Sequence, residues 1–128
     1  MSVDLGIYEK AMPESFSFKE KLALARRAGF DYLEISIDES DKKLSRVFDA
    51  STRREFVNAA KNSDIRVKTM CLSGHRRFPL GSHDAETRRK SLELMQAAID
   101  FALDAGVRII QLAGYDVYYE EGDDFTRA

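Results

Sequence analysis

The chain has 128 residues, 44% hydrophobic and 33% charged, a composition that supplies a real core and argues against disorder. Its formal net charge of −2 gives no general attraction to nucleic acid or to an anionic membrane, so any anion site must be local. A lone cysteine, Cys71, makes no internal disulfide, no apolar run reaches the roughly 18 residues of a membrane span, and no basic-then-apolar leader opens the chain, so a cytoplasmic protein without nucleic-acid or membrane partners is expected.

Taken in order, the elements alternate between strand and helix. Residues 3–8 read as a short strand, with Gly6 permitting close backbone approach. Ser17 and Glu20 have capping-box spacing ahead of a helix over 18–28, with Phe18, Leu22 and Ala25 on one face and Gly29 as its stop. Residues 31–37 are rich in β-branched and aromatic side chains and predict a second strand. Residues 38–50 are strongly charged, with Leu44, Val47 and Phe48 as a small apolar patch, and read as an ordered loop or short helical turn. Thr52 with Glu55 predicts the cap of a second helix running to about residue 61, with Phe56, Val57 and Ala60 inward. A third strand follows at 65–72. Asp84 then caps a third helix over 85–105, whose buried side is expected to carry Leu92, Met95, Ile99, Ala102 and Leu103. Gly106 ends it, 107–112 is a fourth strand, and 113–128 is acidic and aromatic, with Tyr115, Tyr118 and Tyr119.

The strands share a weak repeat. Aligning them on Ala28-Gly29 and Ala105-Gly106 places Glu34, Thr69 and Gln111 in one row, Ile35, Met70 and Leu112 in the next, and Ser36, Cys71 and Ala113 beyond. Strand side chains alternate in direction, so the apolar row is expected to meet helices while the polar rows line an interior. Strand–helix alternation implies a parallel sheet with right-handed crossovers. The fold class is therefore α/β: four parallel strands alternating with three helices, the N-terminal half of a (β/α)8 barrel whose full length is about 250 residues. A small open sheet of flavodoxin type is the structural alternative. The glycine-rich turn of a dinucleotide domain and the P-loop spacing are both missing.

The densest polar cluster lies between the third strand and third helix, where α/β folds place ligands. Ser73, His75, Arg76 and Arg77 there suit an anion: the two guanidinium groups can fork onto phosphate oxygens, while hydroxyl and imidazole add hydrogen bonds. The same arginines also read as solvated loop charges. His75 and His83, eight apart in a loop, lack metal-ligand spacing, and Cys71 has no evident partner base.

Several long strings resemble one enzyme family. They are Tyr8-Glu9-Lys10-Ala11, the run from Gly29 through Glu39, Met70-Cys71-Leu72-Ser73-Gly74-His75-Arg76-Arg77-Phe78-Pro79-Leu80-Gly81, and the run from Ile110 through Tyr119. Together they resemble the N-terminal half of the L-ribulose-5-phosphate (L-xylulose-5-phosphate) 3-epimerases, within the xylose isomerase-like TIM barrels. The resemblance implies an isomerase of phosphorylated pentuloses. One carboxylate removes the proton beside a ketone, a divalent metal stabilises the enediolate, and a second carboxylate returns the proton to the other face. The family's catalytic glutamates and its metal ligands lie on later strands. No position here matches them, so no catalytic and no metal residue is assigned and no metal is expected to bind this chain.

What remains is a substrate-facing set: Tyr8, Glu34, Ser73, His75, Arg76, Arg77 and Tyr115. Glu34 also reads as an interior charge satisfied by a neighbour, Tyr8 as a surface residue, and the 114–116 segment as a plain turn. Residues 1–128 are expected to form one partial barrel domain, a truncated and inactive piece of the enzyme. The alternatives are a non-catalytic half-barrel that binds or assembles and a related sugar-phosphate isomerase. Open sheet edges would invite self-association.

Overall fold

The computed structural model describes residues 2–112. Four strands, β1 (Gly6–Tyr8), β2 (Tyr32–Ile37), β3 (Arg66–Leu72) and β4 (Ile109–Leu112), form one parallel sheet in the order β1-β2-β3-β4. A flavodoxin-type sheet places its first strand inside the order. Here β1 is at the edge and every strand pairs with its sequence neighbour, which is the connectivity of a barrel wall.

Four α-helices accompany the strands: α1 (Phe18–Arg27), α2 (Asp41–Phe48), α3 (Ala50–Lys61) and α4 (Ala85–Ala105). The expected capping box is present, with Ser17 Oγ accepting from the Glu20 N–H and Glu20 accepting from the Ser17 N–H. Asp84 caps α4 through the Thr87 N–H, and Gly106 closes it in the left-handed conformation at φ 80°.

The expected three helices are four among the described residues. The charged stretch read as an ordered loop or short helical turn holds a two-turn helix, α2, capped by Ser40 through the Lys43 N–H. Its buried face is Lys43, Leu44, Arg46 and Val47, so half of the helical stripe is cationic and hydrophobic periodicity alone does not register it. The cap of α3 also moves. Asp49 ends α2 and begins α3, accepting from both the N–H and hydroxyl of Thr52 at 2.8 Å, so Thr52 is a donor in the first turn.

The helices cover one sheet face. Leu33, Ile35, Ile37, Met70 and Leu72 on that face are essentially inaccessible and pack with Phe18, Leu22, Leu44, Leu94 and Phe101. Burying each such side chain contributes about 1.5–3 kcal/mol, which makes this layer the core.

Two expectations about packing fail. In α4 the expected Ala102 is buried and Met95 packs half-buried on the core, but the other buried residues are Ser91, Leu94, Ala98, Phe101 and Ala105, while Leu92 is 65% and Leu103 77% exposed, with Ile99 also at the surface. The helix carries two apolar stripes, and the alanine-rich one lets its backbone approach the sheet closely; choosing by side-chain size selects the wrong one. In β4 the register is displaced by two residues, so Gln111 stands beside Cys71, and Ile110, not Leu112, lies beside Met70. A two-residue shift preserves side-chain direction, so the polar and apolar faces survive it.

Candidate functional site

The face away from the helices carries the polar rows at the carboxyl ends of the strands. Tyr8 donates its hydroxyl hydrogen to Ser36 Oγ at 3.1 Å, and Thr69 Oγ1 donates to Glu34 Oε2 at 2.7 Å. Cys71 is half-buried in the next row beside Ser36. Burial raises the Tyr8 pKa above that of an ordinary phenol, so the phenol remains protonated at neutral pH. The result is a wall of hydroxyl and carboxylate groups suited to contacting a polyol.

Gly6 belongs to this wall for a steric reason. A Cβ there would lie 2.2 Å from the Tyr32 ring, so only glycine lets that ring lie across the first strand.

A charged group behind this wall, just past the end of β1, proves central. Glu9 is 0% exposed and accepts from Lys43 Nζ at 2.5 Å, from Arg46 Nη1 at 2.7 Å and from the Ser36 N–H at 2.6 Å. Arg46 Nη1 also donates to the Ser36 carbonyl at 3.1 Å. Strand β1 has already turned into a 3-10 helix (Glu9–Ala11) here, leaving the Ser36 backbone without a strand partner on that side. Carboxylate and guanidinium satisfy both groups. Burial alone would raise the Glu9 pKa, but the hydrogen bonds and charge of Arg46, with those of Lys43 and the Ser36 N–H, hold it below the ordinary carboxylate value. Glu9 thereby fixes Ser36, and Ser36 fixes the Tyr8 hydroxyl.

The loop after β3 forms a second 3-10 helix (Gly74–Arg76). The Ser73 N–H extends the ladder to the Ile37 carbonyl at 2.9 Å. Gly74 is pressed between α2 and α4, where a Cβ would meet Leu94 Cδ2 at 2.9 Å and Leu44 Cδ2 at 3.1 Å. His75 is buried, its Nδ1 lying 2.9 Å from Ser91 Oγ and 3.2 Å from the Phe78 carbonyl. Burial pushes its pKa below the usual histidine value, against the opposing hydrogen bond to Phe78. A neutral ring is thus seated on α4, where it braces the loop.

Arg76 is half-buried, and Arg77 is exposed over α2, donating to Asp41 Oδ1 at 2.6 Å. The structure therefore brings Tyr8 and Glu34 onto one wall with Ser36 and Thr69, and sets Ser73, His75, Arg76 and Arg77 together in the adjoining loop, with His75 directed at α4 and Arg77 at α2. Tyr115 lies outside the described residues. Among the described residues no three His, Cys, Asp or Glu side chains converge as a metal site, and no helix is long and apolar enough to cross a membrane. A cavity of about 660 Å³ opens elsewhere, between α1 and α3, and none of these residues lines it.

The family model described as "Xylose isomerase-like TIM barrel" matches residues 22–128. Curated relatives named "L-ribulose-5-phosphate 3-epimerase UlaE", from Escherichia coli, Shigella boydii and Shigella sonnei, are each 52% identical over 126 residues, covering 98% of this chain. The chain spans 44% of the length of those relatives.

Proposed function

Because this chain belongs to the xylose isomerase-like TIM barrel family, we propose that it supplies the first four strands of a 3-epimerase interconverting L-ribulose 5-phosphate and L-xylulose 5-phosphate. One observation supports the reading beyond family membership: the match to UlaE, 52% identical, spans 98% of the chain, so the polar wall and the loop after β3 both lie within the matched stretch. Residues 1–128 are assigned as one partial barrel domain of a cytoplasmic enzyme, inactive by itself.

In the complete enzyme the C3–H bond breaks toward a base, its electron pair moves into the C2 carbonyl as an enediolate, and a proton returns to C3 from the opposite face. A divalent metal supplies oxyanion stabilisation in such chemistry. The described residues do not build its site, so no step is assigned to it here. The contribution of this half is to bind and orient. Tyr8 and Glu34 hold sugar hydroxyls, while Ser73, Arg76 and Arg77 receive the phosphate and His75 fixes their loop against α4. The Asp41–Arg77 pair is exposed, so its net worth is only about 0–1 kcal/mol and a phosphate dianion displaces it readily. Tyr115, just past β4 in sequence, completes the assigned set.

Two assays test this. The chain alone with added divalent metal should show no conversion of L-ribulose 5-phosphate; turnover would overturn its assignment as a dependent half. A chimera carrying this chain in place of the matching half of UlaE should epimerise the same sugar. A folded but inactive chimera would overturn the assignment of substrate.

A second reading, a half-barrel that assembles, has its own supporting observation. The exposed Leu92 and Leu103 of α4 lie on the element preceding β4, whose Ile109 and Leu112 are also exposed. Sedimentation of the chain at several micromolar concentrations should then show concentration-dependent self-association. A cooperatively melting monomer at every concentration would eliminate this reading.

A further inference from the structure

The Glu9 cluster holds more positive charge than the fold needs. Lys21, Lys43 and Arg46 are all nearly completely buried around a single carboxylate. Removing like charges from water without matching anions is costly, because the interior screens them poorly. Burial, followed by the charges of Arg46 and Lys21, pushes the Lys43 pKa down despite its bond to Glu9.

Two of these cations have donors to spare. The Lys21 ammonium stands 3.8 Å from Glu9 Oε1, too far for a hydrogen bond. Arg46 Nε is buried without a hydrogen-bond partner, although the guanidinium is stacked 4.2 Å from the centre of the Phe56 ring and 5.7 Å from that of Phe18. Both side chains, with Lys43, line one cavity of about 300 Å³ between α1, α2 and α3. Five lysine and arginine side chains and two glutamates line it, and Glu9 lies behind, leaving two positive charges in excess.

We propose that this cavity binds a small dianionic oxyanion, either free inorganic phosphate or the phosphoryl group of a phosphorylated metabolite, at a site in the helix layer separate from the polar wall of the sheet. A phosphate carries the two missing negative charges and presents acceptors in several directions, matching cationic side chains that line the cavity from α1 and α2. The aromatic rings hold the guanidinium plane in place, so the site is preformed. Because α2 also packs beside the loop after β3, occupancy would stabilise the corner on which the Tyr8–Ser36 contact depends.

The test is titration of the chain with inorganic phosphate and, separately, with ribose 5-phosphate, by calorimetry at ionic strength held constant with chloride. Binding of both identifies free phosphate as sufficient; binding of ribose 5-phosphate alone identifies a metabolite as the source; binding of neither overturns the proposal. Lys21→Met, which preserves the apolar stem and leaves Glu9 its three hydrogen bonds, should weaken binding at least tenfold, whereas Arg89→Ala, on the exposed face of α4, should leave it unchanged. A Lys21→Met chain that binds as tightly as the Arg89→Ala chain would end the proposal. A measurement on the unaltered chain guards against a misfolded variant: in ¹H–¹⁵N spectra, phosphate should shift the Arg46 Nε–H and the amides of Lys21 and Lys43. Shifts confined to residues 73–77, or none, would overturn it.

Discussion

Two ion pairs flank α2, and their geometry is almost the same. Arg46 meets Glu9 at 2.7 Å, and Arg77 meets Asp41 at 2.6 Å. Their surroundings differ completely. The first pair is 6% and 0% exposed, the second 47% and 92%. Attraction between unit charges grows as the local dielectric falls, and so does the penalty for stranding one of them. The inner pair is therefore part of the architecture, whereas the outer arginine can exchange its partner for a ligand. Distance alone does not distinguish a structural charge from an available one.

The sharpest way to break this comparison is Glu9→Ala. It strands Lys21, Lys43 and Arg46 in the interior and removes the acceptor of the Ser36 N–H, and should cost about 3–5 kcal/mol of folding stability, read from urea unfolding. A cost below about 1 kcal/mol would mean that water reaches the cluster and that the two pairs are alike. Next in size is Arg77→Ala placed in a complete enzyme. Affinity for the phosphorylated pentulose should fall by about 1.5–3 kcal/mol while the melting temperature barely moves. Unchanged affinity would return Arg77 to the status of a loop charge.

Gly74→Ala probes the loop that carries the outer arginine. Its new Cβ collides with Leu94 and Leu44, and overpacking of this kind costs about 1–3 kcal/mol. Leu94→Ala in the same chain should recover part of the loss if the collision is its cause, measured by paired denaturation curves. The smallest effect expected is on pH. His75 is held neutral by burial, so its folded pKa lies below the unfolded 6.5. The unfolded chain then binds the extra proton, and stability present above 6.5 declines as pH falls through the window beneath it. His75→Gln should flatten that slope. Asp38 adds a separate acid step. Burial opposes its ionisation, but Lys10 and Ser40 hold its pKa at about 2, so its contribution is lost between 3.8 and about 2.

Local signals located most of the fold. Ser17 with Glu20, Asp84, and the glycines at 29 and 106 mark helix ends through their own backbone and side-chain chemistry, which requires no distant partner. Part of the polar wall was legible too, because alternation in a strand assigns Glu34 and Ser36 to one side whatever the rest of the chain does. Helix α2 was hidden for a definite reason. Lys43 and Arg46 occupy its inward face, and they belong there only because Glu9, more than thirty residues earlier, lies opposite.

The amino-acid sequence by itself determined the order of the strands, their parallel arrangement and the direction of side chains along each strand, which rest on periodicity and capping within short windows, while its long strings carried the resemblance to the family. Only the tertiary structure decided which stripe of α4 is buried, how far β4 slides against β3, and that Glu9 is an interior anchor while Arg77 remains at the surface. Those outcomes depend on how closely two backbones approach and on how little water remains between charges, quantities that exist only once separate elements have packed together.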